Sequence, residues 1–147
     1  MKNILVSVDF DDNEHLLLKK ALEFGKAFKS KVWLVHIAAP EPDFIGYDVG
    51  PQYIRDTRAD ELRDEDKLLQ KFAKELNQSG VEAESLLVQG ATIEMIVKEA
   101  KKLKTDLIIA GHTKRNFIYQ TFVGSVSQDI IKESDIPVLI VPISSQA

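Results

Sequence analysis

The sequence predicts an open, doubly wound α/β fold, a parallel five-stranded sheet with helices on both faces. Three observations predict it. Five short runs rich in Val, Ile and Leu recur along the 147 residues. Most are apolar without alternation, as strands buried on both faces must be, because an alternating polar residue would be stranded in the core. The segments between them carry apolar residues at helical spacing. Strands that alternate with helices call for right-handed crossovers between parallel neighbours, and that fixes the layers.

The elements follow in order. ILVSV at 4–8 is the first strand. Asp11 followed by Glu14 has the spacing of a capping box, and Leu17, Ala21, Phe24 and Phe28 then form one helical stripe. VWLVHIA at 32–38 is the second strand. AAPEPDFIGYDVGPQ holds three prolines and two glycines, which oppose regular structure, so a long loop is expected at about 39–54. A loop of that length is expected to act either as a lid over a ligand or as a surface excursion or subunit contact. Leu62, Leu69, Phe72 and Leu76 mark the second helix, with RDTRADELRDEDKLLQK as its solvated face and Gly80 as its stop. SLLV at 85–88 is the third strand, Ile93, Ile96, Val97 and Ala100 the stripe of the third helix, and DLIIA at 106–110 the fourth strand. An amphipathic segment opens at Gly124, and PVLIV at 137–141 closes the sheet.

The length suits one domain spanning 1–147. A net charge of -4 with acidic and basic residues interspersed gives no basic footprint, so no nucleic-acid partner is expected. Cysteine is absent, which excludes a disulfide framework and thiolate zinc. MKNILVSVDF lacks the apolar core of a signal peptide, and no apolar run approaches the roughly twenty residues that cross a bilayer. A cytoplasmic protein without a membrane role is the expectation. His15, His36 and His112 show no metal-ligand spacing, so no metal site is expected, and His36 is expected to be a satisfied residue in or near the core.

Ligands of open α/β sheets bind outside the carboxyl ends of the strands. That rule selects the loop after the first strand, beginning at Asp9, and the loop after the fourth, beginning at Gly111. Within AGHTKRNFIYQTFVGSVSQD (110–129), Gly111 and Gly124 lack a Cβ and admit close approach to the backbone. The N–H groups at the helix start near Gly124 favour an anion, Ser125 and Ser127 add hydroxyls, and Lys114 adds a point charge. Ser125 and Gln128 also form an S-x-x-Q capping pattern that needs no ligand. These residues alone leave a phosphate site and a plain corner both open.

Taken together, KNILVSVDF, VWLVHIA, the AGHTKR to GSVS region and the closing PVLIVP resemble, in order and over essentially the whole chain, the universal stress protein family. Nucleotide-binding members of that family share G-x2-G-x9-G-(S/T) after the fourth strand. Gly111, Gly124 and Ser125 match in register, with Lys114 in place of the second glycine. The resemblance implies a three-layer, Rossmann-like sheet of order 3-2-1-4-5. It implies ATP, or AMP or ADP, as ligand, with magnesium as a companion of the nucleotide. Ser7, Val8 and Asp9 would lie beside the adenosine, the Ile37 backbone would read the adenine edge, and Ala110 and Gly111 would line the ribose side. Gly124, Ser125, Val126 and Ser127 would face the phosphates. At Lys114 the ammonium would bind phosphate directly, or the loop would take another shape and lose the ligand. If that position needs positive φ, lysine there costs about 1–2 kcal/mol.

The last strand, as an apolar sheet edge, is expected to be covered by a second copy through 137–141, as the resemblance also implies, with Pro142 limiting the pairing. Beyond Asp9 no residue offers an activated nucleophile or general base, so any ATP hydrolysis is expected to be slow. Other readings are a universal-stress fold that has lost its nucleotide and works through dimerisation and protein partners, and a haloacid-dehalogenase-like phosphatase using Asp9 as nucleophile and Asp11 as acid. The phosphatase needs a downstream acidic pair for magnesium, and AGHT at the fourth strand tip has no carboxylate. A receiver-like switch lacks a phosphoacceptor aspartate at a central strand other than Asp9.

Overall fold

A computed structural model describes residues 1–10, 14–38, 52–112, 130 and 132–143, with the backbone alone at 52–58 and 92. The order of elements is β1 (Asn3–Ser7), α1 (Glu14–Phe28), β2 (Lys31–Ala38), α2 (Gln52–Gln78), β3 (Ala83–Gln89), α3 (Thr92–Lys102), β4 (Leu107–His112) and β5 (Val138–Pro142). All four strand pairings are parallel, as the sequence predicted, and the sheet order is β3-β2-β1-β4-β5, as the family resemblance implied.

Several boundaries differ from those read in the sequence. β1 ends at Ser7, so Val8 lies just past it, although its N–H still donates to the Val35 carbonyl at 2.9 Å. Gly111 and His112 belong to β4 and do not open the following loop, because both pair with β5, opposite Val141 and Pro142. α2 opens at Gln52, two residues before the expected end of the long loop, whose residues 39–51 lie outside the described ones.

Strand alternation divides the core into two layers. Ile4, Val6, Leu34 and Ile109 face Leu17 and Ala21 of α1 and Leu69 and Leu76 of α2. On the other side Leu5, Val35 and Ile108 face Ile96 and Ala100 of α3 together with Ile130. The helical stripes read from the sequence supply most of these contacts, but Leu62 and Val97 are half-buried outside both layers and Phe28 departs further. Phe28 sits at the end of α1 with 49% of its surface exposed. It stacks on Phe24 at 6.0 Å and does not enter the core.

The helices α1, α2 and α3 stop in the same way. Gly80 after α2 has φ +93°, its N–H reaches the Asn77 carbonyl, and the Val81 N–H reaches Leu76 at 3.0 Å. This is the Schellman arrangement expected of a glycine stop. Lys29 and Lys104 end α1 and α3 at φ 53°, with Ser30 bonded back to Gly25 and Thr105 to Ala100. Two lysines therefore occupy a conformation that suits glycine. No sequence signal marked them.

Candidate functional site

The site is a notch in the sheet edge, made by one strand being shorter than its neighbours. Ser7 is the last rung of both ladders of β1, opposite Val35 on β2 and Ala110 on β4. β2 and β4 run on, and their extra residues pair outward. Ile37 and Ala38 match Val88 and Gln89 of β3, and Gly111 and His112 match β5. The peptide groups of one strand residue point to the same neighbour in a parallel ladder, and alternate residues point to opposite neighbours. Val35 accepts from Val8, so Ile37, two residues on, turns its N–H and C=O toward the space above β1.

Of the residues singled out in the sequence, Ser7, Val8, Asp9, Ile37, Ala110 and Gly111 surround this notch. Ser7, Val8, Ile37 and Ala110 are buried, and Asp9 is exposed at the mouth. Lys114, Gly124, Ser125, Val126 and Ser127 lie outside the described residues, as does Asp11. Gly111 has a packing reason of its own. A Cβ there would come within 2.5 Å of Ile143 Cδ1, a side chain buried in the first core layer. Its bare backbone is used by the protein interior as well as being available to a ligand.

Four residues that the sequence reading did not place at the site shape the exit of β1. A continuing ladder would give the Val8 carbonyl to the Ile37 N–H. Instead the carbonyl accepts from His36 Nδ1 at 2.6 Å. The other ring nitrogen, Nε2, faces Glu65 Oε2 of α2 at 3.4 Å. Phe10 lies against the imidazole with ring centres 4.4 Å apart and holds φ 58°, a conformation that bulky side chains rarely adopt. Glu14, buried at the first turn of α1, accepts the Asp9 N–H through Oε1 at 3.2 Å. The capping box read from Asp11 and Glu14 involves Asp11, which lies outside the described residues; the contact seen for Glu14 is to the Asp9 N–H. Only the parity of His36 with Leu34, which turns both to the α2 face, could have flagged the cluster in the sequence.

The arrangement presents small side chains, outward peptide groups and an exposed carboxylate around one opening. It does not offer metal catalysis from the described residues, among which no three His, Cys, Asp or Glu side chains converge. β4 ends in Gly111 and His112, without the carboxylate that a magnesium-dependent phosphatase needs there.

Comparison with known proteins agrees with this architecture. Residues 1–142 match the model of the universal stress protein family. A universal stress protein of Thermus aquaticus is 30% identical over 95% of this chain and 98% of its own length. The solved structure of MJ0577, a universal stress protein of Methanocaldococcus jannaschii, superposes with a TM-score of 0.73 at 29% identity, covering 99% of this chain and 98% of that one. A universal stress protein solved in complex with cAMP has a TM-score of 0.71 at 21% identity, over 97% of this chain and 98% of that one. With a family model that spans nearly its full length and a sheet of the same order, the chain belongs to the universal stress protein family.

Proposed function

We propose that this universal stress protein binds an adenine nucleotide, ATP or the related AMP or ADP, in the notch above β1, and that it acts as a cytoplasmic stress-response or regulatory protein that senses or stores the nucleotide. The observation that carries this is the open rung beyond Ser7, where the Ile37 peptide points into a space walled by Ala110 and Gly111. An adenine edge presents a donor beside an acceptor, which matches one peptide N–H and C=O. Asp9, exposed at the mouth, would accept from ribose hydroxyls. The matched Gly111, Gly124 and Ser125 support a phosphate position beyond the ribose, with magnesium accompanying the phosphates, and Lys114 adds a cation to it. A family relative bound to cAMP supports the adenine class. Hydrolysis is at most slow, since the described residues around the notch include no activated nucleophile.

The protein works as a homodimer through β5. That strand is an edge of the sheet, and its Val138, Leu139 and Ile140 are only half-buried in the single chain. An apolar edge of this kind is ordinarily covered.

Calorimetry and thermal shift with ATP, ADP and AMP test the nucleotide reading. Saturable binding is expected, weakened about tenfold by Ser125→Ala through loss of a hydrogen bond to a charged group. Lys114→Gly separates the two roles of that residue, since weaker binding means the ammonium holds phosphate and stronger binding means lysine obstructs the loop. No response to any adenine nucleotide would favour the family fold acting through protein partners alone. Sedimentation at micromolar concentration should show a dimer, and a strict monomer would remove the β5 interface.

A further inference from the structure

Acidic and basic residues are interspersed along the chain, but the fold separates them. The strands begin, and α1, α2 and α3 end, on the side of the sheet opposite the notch. Short hydrogen bonds tie three strand entries together there. The Ser30 hydroxyl donates to the Met1 carbonyl and the Lys31 N–H to the Lys2 carbonyl, both at 2.8 Å, and the Asn3 side-chain amide donates to the Lys104 carbonyl at 3.4 Å. These bonds bring Lys2, Lys29 and Lys104 to one surface, and the last turns of α1 and α3 add Lys26, Lys101 and Lys102. All of these lysines are exposed, and none forms an ion pair with a described residue. Most of the acids nearby are engaged. Glu82 and Glu84 lie 3.7 and 3.2 Å from Lys31, and the Asp106 carboxylate accepts the Lys2 and Asn3 N–H groups. Glu75 is in the last turn of α2, and Glu133 and Asp135 stand with Lys132 before β5. Attraction to the helix dipoles accounts for Lys26, Lys101 and Lys102. It does not account for Lys29 and Lys104, which hold φ 53°, where glycine is the more stable residue. What lysine adds there is a charge in water. Among these charges Phe28, one residue before Lys29, leaves 49% of its surface exposed, and Met1 leaves 47%.

We propose that this end of the sheet is a docking surface for a bilayer of anionic lipids, with the lysines at the headgroups and Phe28 pressed into the boundary of the acyl chains. Lysine stems lie along apolar surface while their ammonium groups stay hydrated, and each lysine held near an anionic membrane strengthens attachment about fivefold. The exposed ring adds the apolar part of an interfacial contact. No described helix is long and apolar enough to cross a membrane, and a contact of this kind needs none. The chemistry favours a bilayer over a nucleic acid. Among the described residues no arginine stands at this end, since Arg55, Arg58 and Arg63 lie in the first half of α2. The surface therefore lacks the planar fork that grips individual phosphates, and offers hydrated point charges instead. A nucleic acid would use those charges, whereas a bilayer uses the charges and the apolar side chains between them. Docking by this end leaves the notch, at the opposite end of the strands, open to solution.

The experiment sediments the full chain with vesicles of phosphatidylcholine containing about 30% phosphatidylglycerol, and with vesicles of phosphatidylcholine alone. Attachment to the anionic vesicles only is expected, with release as salt rises from about 0.1 M to about 0.5 M and screening shortens the reach of the lysines. Lys29→Gly combined with Lys104→Gly should lower the partition about 25-fold. Glycine suits both turns, so the urea midpoint of that variant should not fall, and lost attachment is then not lost folding. Lys67→Glu combined with Lys71→Glu, on exposed positions of α2, changes the net charge further and should leave attachment as it was. Phe28→Ser should weaken attachment about fivefold without changing its dependence on salt. Equal attachment to neutral vesicles, none to the anionic ones, or a double glycine variant that attaches like the wild type overturns the docking surface. Tighter binding to a short RNA duplex than to anionic vesicles, at equal phosphate concentration, would make this end a polyanion site and overturn the bilayer. The nucleotide titrations read the other end of the sheet, so either reading can fail while the other stands.

Discussion

The two ends of the sheet are built on opposite plans. At the amino-terminal end of the strands, polar groups are closed against each other by short local devices. The Asp106 carboxylate accepts from the Lys2 and Asn3 N–H groups at 2.7 and 3.0 Å. Ser30 donates to the Met1 carbonyl, the Trp33 indole donates to Asn3, and α1, α2 and α3 each stop there in a Schellman turn. At the carboxyl end β1 stops early, a phenylalanine holds positive φ, and a buried carboxylate oxygen of Glu65 faces an imidazole. One end is arranged to stay shut. The other leaves peptide groups beyond the end of β1 without a strand partner among the described residues and accepts strain, and binding sites in folds of this kind are found at that end. The contrast separates stability from ligand access within a single sheet, although both ends share the same core.

That shared core sets the largest effect. Ile109 is fully buried between the ends, and Ile109→Ala should lower unfolding free energy in urea by about 3 kcal/mol. Hydrogen exchange at both ends should then accelerate together; acceleration at one end only would mean that the ends unfold separately.

Strain at the open end gives the next test. Alanine normally outperforms glycine by restricting the unfolded chain, but at φ 58° the order should invert. Phe10→Gly is therefore expected to be more stable than Phe10→Ala by about 1 kcal/mol, and the usual order would show that the turn carries no strain.

At the closed end the same conformation can be improved without cost to the notch. Lys104→Gly should raise the unfolding midpoint by an amount equivalent to about 0.5–1 kcal/mol, and leave nucleotide affinity unchanged. The smallest effect concerns acid. The Asn3 N–H, and then the Lys2 N–H, hold the Asp106 carboxyl below its usual 3.8. A lowered folded value contributes stability above the unfolded pKa, and that contribution is lost as pH falls through the folded one. Asp106→Asn should therefore lose less stability than the wild type on acidification from about pH 5 to pH 2, a difference that urea titrations at each pH will read.

The closed end and the core were the more legible in the sequence. Unbroken apolar runs such as DLIIA can only be doubly buried strands, and the periodic stripes between them can only be covering helices. Gly80 announced its own turn, whereas Lys29 and Lys104 reached the same conformation without any local preference for it, because the chain on either side is fixed by packing. The open end was legible only in part. Ser7, Val8, Ile37 and Ala110, named through the family resemblance, lie around one opening, but that β1 stops short is a property of three strands together and has no local code. Gly111 was read as room for a ligand, yet Ile143, 32 residues further on, uses the same room. Phe10, His36 and Glu65 meet across three elements, and nothing in their spacing brings them to one point.

Asn77 has a consequence for which edge of the sheet another strand can reach. Its side-chain amide donates to the Ala83 carbonyl at 2.9 Å and accepts the Ala83 N–H at 3.0 Å. It thus imitates the peptide group of a sixth strand at the outer edge of β3. A foreign strand arriving there finds its first two bonds already taken. Growth of the sheet is discouraged on that side by a single side chain, while β5 on the opposite side carries no such plug among the described residues. A sheet that extends at one edge only, by pairing with its own copy, ends after two molecules, and runaway strand-to-strand polymerisation is denied a second door.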